Sequence, residues 1–435
     1  MPQDSGGEPL PPGRRAASRV PGPLRQAQPP SAASNPERPV PEEFPPEEFP
    51  PEGHWPDAHV PDAAIPDPLI PDALPVLPRL RLSARRHAAA QRDAAGDWLD
   101  VLVLPDGSTA LVIGQVERHG GQPGPAGATA ARLRAGLRDA LRGRAAPAEA
   151  VAALGAVASG PASGRGAAVC VAVLDPLTGN LHYATAGLPV PVICAAAGAT
   201  AGPAGKPDAG TAILPSGAVL LLYSGPARVQ DGAARSVVTG SVAARAASVL
   251  AGSGSATAAD PADRVVPAVL AGLSGDDGSG PATVLAAHRL LAPVAGWAMN
   301  LPADPLALRE LRRRLRGWLY DLGVSLSDRT DVELAVWEAA VNAIVHGRPV
   351  AGPATVTVRA GLDIAGRAEI QVSDQGRWRP PEPPDPGRRW PGGQGLMVIR
   401  QATDELDITP GPEGTTVTLR RRLSRPAAGQ AEPGQ

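Results

Sequence analysis

The chain has 435 residues, a length that allows roughly two or three domains of ordinary size. Its formal net charge is -2 at pH 7, and no segment concentrates the basic charge that phosphate binding needs, which argues against nucleic acid as the main partner. The sequence has neither a run of about 18 apolar residues nor a hydrophobic signal segment within Met1–Val20, so we expect a cytoplasmic protein without a membrane span.

Residues 1–78 are rich in proline and poor in apolar side chains, so they cannot bury enough surface to offset the entropy of ordering. We therefore predict a disordered Pro-rich N-terminus. A period of five residues runs through it, and each repeat places an acidic residue after Pro46, Pro51, Pro56, Pro61, Pro66 and Pro71. This spacing favours an extended polyproline-like chain, either a passive linker or a tether that docks a partner.

Residues 79–290 are predicted to form a first folded domain. Two strands meet at the turn Pro105–Gly107, two helices follow, and further strands include a hairpin around Asp175–Asn180. The first of these helices is marked by a four-residue spacing of Leu133, Leu137 and Leu141. Cys170 and Cys194 lie in apolar runs and are interpreted as buried hydrophobic side chains in a reducing compartment.

Residues 296–423 are predicted to form a second domain, followed by a polar tail at 424–435. The helical segment Asp331–Pro349 places Glu338 and Asn342 one turn apart on the same line of its surface. An acid and an amide so placed can hold a hydrated Mg²⁺ and orient a water or hydroxyl. A core-facing stripe is predicted from Val332, Leu334, Ala335, Val341, Ile344 and Val345.

Further polar and glycine-rich segments follow this helix. Asp374 ends a strand, where a buried carboxylate can accept the exocyclic amine of adenine, and Gly376 lets backbone approach a ligand. A Pro- and Arg-rich stretch then has the composition of a mobile lid. It leads to the glycine run Gly392–Gly395 before a helix, whose first amides would face a bound phosphate, and Thr416 lies on a last strand.

The order of these motifs resembles the GHKL or histidine-kinase-like ATPase family, particularly anti-sigma factor serine kinases of the RsbW type. The resemblance spans residues 301–423 and implies a Bergerat α/β sandwich with ATP between a helical layer and the lid. It implies Glu338 as general base or water positioner, Asn342 as ligand of the Mg²⁺ of ATP, and Asp374 as adenine acceptor. It also implies a pocket shaped by Gly376, Gly393, Gly395 and Thr416, the last holding the base through water.

Two positions in this second domain leave questions open. His346 matches a frequent family position, with a packed and hydrogen-bonded histidine as the alternative interpretation. The first glycine box has Arg377 and Trp378 after Gly376, where many relatives have a second glycine. Lid geometry and ATP affinity therefore cannot be carried over from the family.

The first domain resembles the SpoIIE branch of PPM-type serine/threonine phosphatases in the segments AAGDWLDVLVLPDGSTALVIGQVERHGG, LDPLTGNLHYATAGLPVPVI and ILPSGAVLLLYSG. The resemblance implies an αββα sandwich with two Mn²⁺ or Mg²⁺ ions, usually held by four aspartates that activate a bridging water. Asp97 matches the first aspartate, but Gln115 occupies the second position. The segment Tyr223–Ala227 has no acid for the third, and Gly280–Pro281 replaces the fourth.

Loss of three carboxylates should abolish most of the affinity for two divalent cations, so we hypothesise a pseudophosphatase with Asp97 as the remnant of the metal site. One alternative is a working phosphatase in which Asp276 or Asp277 supplies a missing ligand after a loop shift. Glu117 could also restore one metal ion. The Mn²⁺ or Mg²⁺ site of this domain is thus expected to be depleted.

Together the resemblances predict an α+β protein, a PPM-type αββα sandwich followed by a Bergerat sandwich, similar to bacterial partner-switching regulators. They imply an ATP- and Mg²⁺-binding protein that acts as a serine kinase on, or sequesters, an anti-sigma antagonist of the STAS type or a sigma factor. The alternatives are an active metal-dependent phosphatase on a phosphorylated antagonist and a non-enzymatic, ATP-gated binding module. The oligomeric state stays open, since relatives of the ATPase domain commonly pair into homodimers.

Overall fold

The computed structural model describes residues 71, 73–87, 96–116, 126–158, 167–195, 198–201, 208–225, 232–252, 259–274, 282–347, 353–376, 394–412 and 414–427. These belong to one compact unit, Asp62–Gln435. Most of the segment predicted to be disordered lies outside the described residues. Its end does not fit that prediction, because Ala73–Pro75 forms strand β1 and the neighbouring apolar side chains are buried. None of the described helices is long and apolar enough to cross a membrane.

The first domain is built from two five-stranded antiparallel sheets and four helices. One sheet has the order β2 (Leu80–His87), β11 (Ala282–Arg289), β10 (Val219–Tyr223), β7 (Val192–Ala195) and β8 (Gly198–Ala201). The other has the order β3 (Trp98–Val103), β4 (Thr109–Val116), β5 (Ala167–Leu174), β6 (Asn180–Ala186) and β9 (Ala209–Ile213). The helices are α1 (Ala126–Arg142), α2 (Pro147–Ala158), α3 (Gly232–Ala251) and α4 (Pro261–Leu273).

The layers of this domain follow from which strand faces are apolar. The two sheets enclose one core between them, to which both contribute, for example Leu82, Leu111, Leu220 and Leu285. Helices α1 and α2 cover the outer face of one sheet, where the predicted leucine stripe of α1 is buried. Helices α3 and α4 cover the outer face of the other sheet. The αββα sandwich is thus confirmed.

The two cysteines fit the interpretation that they are core residues. Cys170 lies in β5 and Cys194 in β7, and both side chains are buried among apolar neighbours. Burial raises the pKa of each thiol to about 12. Neither thiol therefore has the thiolate character of a reactive cysteine.

The second domain is a single antiparallel sheet covered on one face by helices. The strand order is β12 (Trp297–Pro302), β13 (Thr355–Leu362), β14 (Arg367–Ser373), β16 (Gly414–Arg422) and β15 (Glu405–Gly411). Helices α5 (Leu308–Asp321), α6 (Leu326–His346) and α7 (Gln394–Ala402) share one core with alternate residues of these strands. This arrangement confirms the predicted α/β sandwich of the ATPase type. Strand β17 (Ser424–Pro426) lies in the predicted polar tail and pairs with β1.

The buried face of α6 differs from the predicted stripe. Leu334 and Val345 are 44% and 57% exposed, so assigning them to the core was wrong. The buried line instead runs along Val332, Ala335, Val336, Ala339, Ala340, Ala343 and Ile344. These positions recur every three or four residues, as one helix face does, and their mostly small side chains let α6 lie close to the sheet.

Candidate functional site

Helix α6 presents Glu338 and Asn342 to the first turn of α7. A Cβ atom on Gly395, the second residue of α7, would lie 2.9 Å from Oε2 of Glu338 and 3.4 Å from Nδ2 of Asn342. The backbone of α7 therefore approaches both side chains closely, and any larger residue here would require the Glu338 carboxylate to shift. The acid and the amide thus lie against a helix N-terminus, where unpaired amides attract anions.

Asp374 follows β14 and is held by local hydrogen bonds. Its Oδ1 accepts a hydrogen bond of 2.7 Å from the Gly376 amide, and its own amide donates to the Thr415 carbonyl at 2.9 Å. Burial raises the pKa of Asp374 above its ordinary value, although backbone hydrogen bonds from Gly376 and Thr415 to the carboxylate and the nearby His346 oppose the shift. A half-buried carboxylate of this kind is suited to receive a hydrogen-bond donor from a ligand.

Glycines let the end of α6 meet Asp374. A Cβ on Gly347, the C-cap of α6, would lie 2.4 Å from Cβ of Asp374, and a Cβ on Gly376 would lie 2.4 Å from Cα of Gly347. Gly414 has φ +150°, and its Cβ would lie 1.8 Å from the Asp374 carbonyl oxygen. The sequence reasoning missed Gly347, although a glycine directly after a predicted helix was a readable signal of a C-cap.

Thr416 lies beside Asp374 on the neighbouring strand. Its hydroxyl is 2.9 Å from the Ser373 hydroxyl, because these two residues are paired across β14 and β16. His346 is exposed at the end of α6, so the alternative of a packed histidine is wrong. Gly393 and the lid stretch lie outside the described residues.

The proposed site residues therefore fall into two groups joined by the last turns of α6. One group consists of Glu338, Asn342 and Gly395, and the other surrounds Asp374. From Glu338 to Gly347 the helix rises roughly 14 Å. This separation is comparable with the length of an extended nucleoside triphosphate, so one ligand could contact both groups.

A groove of about 790 Å³ runs between α5 and α6 and is lined in part by Glu338. The Arg312 guanidinium lies 4.2 Å from the centre of the Trp337 ring, and Arg316 pairs with Glu333 at 2.7 Å. The groove is lined further by exposed Tyr320, Leu326 and Leu334. It is therefore both apolar and basic, and its lining includes Glu338, the acid of the first group.

In the first domain, Asp97 belongs to a small buried polar cluster. Asp97 is 3% exposed, and its Oδ2 lies 3.5 Å from the Thr283 hydroxyl. The Thr283 amide donates to the Ser224 hydroxyl at 3.0 Å, and Gln115 is also buried. Among the residues that the structure describes, no group of three or more His, Cys, Asp or Glu could hold a metal ion. The candidate rescue acids Glu117, Asp276 and Asp277 lie outside those residues.

A second buried acid, Asp100, follows Asp97 by three residues in the sequence and forms ion pairs with arginines. The Asp100 side chain is 4% exposed and accepts hydrogen bonds from Arg134 at 3.2 Å and from Arg138 at 2.8 Å. Both arginines belong to α1, so the carboxylate ties this helix to β3. The sequence reasoning did not single out Asp100, and its partners four residues apart on α1 could have indicated the pair.

Comparisons with known proteins agree with this geometry. Residues 105–289 match the family of stage II sporulation protein E, and residues 301–421 match the histidine kinase-like ATPase domain family. The crystal structure of the RsbU and RsbW domains of a Mycobacterium tuberculosis protein is 30% identical, with a TM-score of 0.66, over 82% of this chain and 99% of that one. The chain belongs to the family that joins a SpoIIE-type domain to an RsbW-type ATPase domain.

Two curated relatives have the length of the RsbW-type domain. Serine-protein kinase RsbW of Bacillus licheniformis is 30% identical over 138 residues, which are 29% of this chain and 85% of the relative. The anti-sigma F factor of the same species is 26% identical over 139 residues, 30% of this chain and 95% of the relative. The predicted fusion is thus confirmed, and its two domains support a role in partner-switching signalling. Nucleotide and divalent-metal use are general to such relatives.

Proposed function

We propose that the RsbW-type domain binds Mg²⁺-ATP and transfers its γ-phosphoryl group to a serine or threonine of a protein partner. The observation that carries the proposal is the contact of the α7 N-terminus with Glu338 and Asn342 through Gly395. The residues fit the group, since the amide oxygen of Asn342 suits Mg²⁺ and the adjacent α7 N-terminus suits a phosphate, while the Glu338 carboxylate is left to accept a proton. Bound magnesium would neutralise charge on the transferred phosphoryl group.

Each side chain then has a defined task. Asn342 holds the metal with its amide oxygen, and Asp374 accepts a hydrogen bond from the exocyclic amine of adenine. Glu338 accepts the proton of the acceptor hydroxyl while that oxygen bonds to the γ-phosphorus, and the bond to the β–γ bridging oxygen breaks to release ADP. Gly376, Gly395 and Thr416 complete the proposed pocket, to which the family resemblance adds Gly393.

The groove between α5 and α6 supplies a route for the protein substrate. Glu338 lines it, so a serine carried by a partner in the groove would reach the base. The relatives named as serine-protein kinase RsbW and anti-sigma F factor suggest that the partner is an anti-sigma antagonist, of the STAS type, or a sigma factor. The same proposal includes sequestration of a sigma factor by this domain. It also includes pairing of the chain into a homodimer.

For the SpoIIE-type domain we propose that dephosphorylation has been lost. Asp97 is buried with the Thr283 hydroxyl 3.5 Å from its carboxylate, and Gln115 is neutral where the family has an acid. Purified protein with Mn²⁺ and a phosphoserine peptide should release no phosphate above the rate of an Asp97→Ala variant. Phosphate release that Asp97→Ala abolishes would refute this part of the proposal.

The kinase proposal is tested by incubating the purified chain with radiolabelled ATP, Mg²⁺ and candidate antagonist proteins from the same genome. Label should appear on serine or threonine of one candidate. Glu338→Gln should lower transfer by about 100-fold or more while leaving nucleotide binding intact, because it removes only the proton acceptor. Asn342→Ala should lower both. Glu369→Gln, on β14 and paired with Arg420, is the matched control and should change neither.

Two results would contradict the kinase proposal. Nucleotide binding without transfer to any candidate, together with full partner binding by Glu338→Gln, would instead favour an ATP-gated binding module. Failure of folded protein to bind adenine nucleotide would remove the proposal altogether.

A further inference from the structure

A short antiparallel sheet joins the two ends of the described chain. In it, β1 pairs with β17, with Leu74 opposite Arg425 and Pro75 opposite Ser424. The pairing extends by one further hydrogen bond of 3.0 Å from the Val76 amide to the Leu423 carbonyl. We call this pairing the clasp. It connects the strand that precedes the SpoIIE-type domain with the strand that follows the RsbW-type domain.

The clasp contributes to both hydrophobic cores. Leu74 is fully buried and belongs, with Leu77, to the core between the two sheets of the SpoIIE-type domain. Val76 is 3% exposed and belongs to the core of the RsbW-type domain. Val76 and Leu77 are successive residues just after β1, and their side chains go to different cores, as neighbouring side chains of an extended chain can. The segment cannot separate from either domain without exposing an apolar side chain.

Polar contacts across the domain boundary surround the clasp. Arg425 in β17 donates to Oδ2 of Asp263 at 2.8 Å, and Asp263 lies in the first turn of α4. A second contact runs from the SpoIIE-type domain to the RsbW-type domain. The Arg81 guanidinium of β2 donates to the carbonyl oxygens of Asp321 and Leu322 at the end of α5. The first contact ties the clasp to α4, and the second ties β2 of the SpoIIE-type domain to the end of α5.

The same strand also anchors the first turn of α6. Asp328, which is 8% exposed, accepts hydrogen bonds from the Ser424 amide at 2.8 Å and the Ser424 hydroxyl at 2.5 Å. Arg421 donates to the other oxygen of Asp328 at 2.8 Å, and the Ser325 amide donates to the Ser424 carbonyl at 2.8 Å. One end of α6 is therefore fastened to the clasp, while the other end carries Glu338 and Asn342.

We propose that the clasp couples the SpoIIE-type domain to the nucleotide site through α6, so that a bound nucleotide and a closed clasp stabilise each other. The inference rests on the proposed function for the nucleotide. Its two states are the paired clasp and a locally opened one in which β1 has left β17, a kind of opening expected of short terminal sheets. Linkage makes the effect reciprocal, because a ligand that orders α6 favours the state in which its other end is anchored.

Hydrogen exchange in the full-length chain, with and without Mg²⁺-ADP, tests this coupling directly. The Val76 and Ser325 amides, which report the clasp and its link to α6, should exchange several-fold more slowly when nucleotide is bound. The Gly179 amide, which donates to Asp175 in a hairpin of the SpoIIE-type domain, is the internal control. Its exchange should not change.

A substitution far from the nucleotide tests the coupling in the other direction. Asp263→Asn removes the charge partner of Arg425 and should weaken Mg²⁺-ADP binding by roughly fivefold, at the low end of measured couplings. Asp175→Asn, in the same domain but in a surface hairpin, should leave the affinity unchanged.

The outcomes separate the inference from the proposed function. If Mg²⁺-ADP binds but leaves Val76 and Ser325 exchange unaltered, the coupling is refuted and the nucleotide site stands. If Asp263→Asn fails to fold, the exchange experiment on the unmodified chain still decides. If no heat of Mg²⁺-ADP binding is measured in folded protein, both are refuted.

Discussion

At the scale of single residues, the candidate site consists of side chains that the sequence indicated and backbone contacts that it did not. The four-residue spacing of Glu338 and Asn342 put both on one helix line, and the structure brings Gly395 against them. Gly347 could have been predicted as a C-cap, but its contact with Asp374 could not, because that contact depends on the position of Asp374 in space. Gln115 and Gly225 stand where the family has metal-binding aspartates, and this loss of acids could be recognised only through the family resemblance.

Asp374→Asn should separate stability from binding. The amide oxygen can keep the hydrogen bond from Gly376, and the substitution removes a carboxylate whose pKa burial raises. A raised folded-state pKa means that this group favours folding below its unfolded pKa and opposes it as pH rises through the folded value. The melting temperature should therefore be equal or higher at pH 7, with the gain vanishing in acid, while adenine nucleotide affinity falls at least about tenfold. A lower melting temperature at pH 7 would contradict this.

Gly395→Ala should disrupt the site without unfolding the domain. The added methyl would lie 2.9 Å from the Glu338 carboxylate and push α7 away, so nucleotide affinity should fall by about tenfold or more. Gly317→Ala in α5, where a Cβ meets nothing within 4 Å, is the matched control and should stabilise by up to about 1 kcal/mol. Titration calorimetry and thermal melts measure both effects, and equal affinity of Gly395→Ala and unmodified protein would be the opposing result.

At the scale of elements, periodicity predicted the helices better than it predicted their faces. The leucine stripe of α1 is buried as predicted, but the stripe of α6 is rotated, because alanines form the line that touches the sheet. Strand β17 was not predictable from Ser424, Arg425 and Pro426, since its partner β1 lies about 350 residues away along the chain. Its existence depends on tertiary pairing alone.

The anchor of α6 predicts a pH dependence of stability. Burial alone would raise the pKa of Asp328, but hydrogen bonds from Ser424 and Arg421 outweigh it and hold the pKa below its ordinary value. A lowered folded-state pKa contributes stability above the unfolded pKa, which is lost as pH falls through the folded value. Asp328→Asn should therefore lower the melting temperature at pH 7 and reduce its fall between about pH 5 and pH 2. Parallel pH curves for variant and unmodified protein would argue against this role.

At the scale of the whole molecule, the two domains share one strand, so we expect them to unfold together. Leu74 and Val76 lie in different cores, and loss of β1 would expose apolar surface in both. Scanning calorimetry of the full chain should show one transition, and Val76→Asp should split it into two. Val237→Asp, at an exposed position of α3, is the control and should leave one transition. Two transitions in the unmodified chain would contradict a shared strand.

The order of the two domains was predictable because each keeps its motifs in sequence, whereas their connection was not. The proline-rich composition before Arg79 gave no sign that Leu74 and Val76 are buried. The polar residues after Leu423 likewise gave no sign of a strand. A segment buried between two domains has no periodicity of its own, and its neighbours in space come from distant parts of the chain.

The most direct test of the account is titration calorimetry of the full chain with Mg²⁺-ATP analogues that cannot be hydrolysed. The proposed site predicts saturable binding to the folded protein, lost in Asn342→Ala and in Asp374→Asn but retained in Glu369→Gln. No heat of binding in unmodified protein that melts cooperatively, or equal binding by all the variants, would contradict the central claim that α6 and α7 hold a nucleotide.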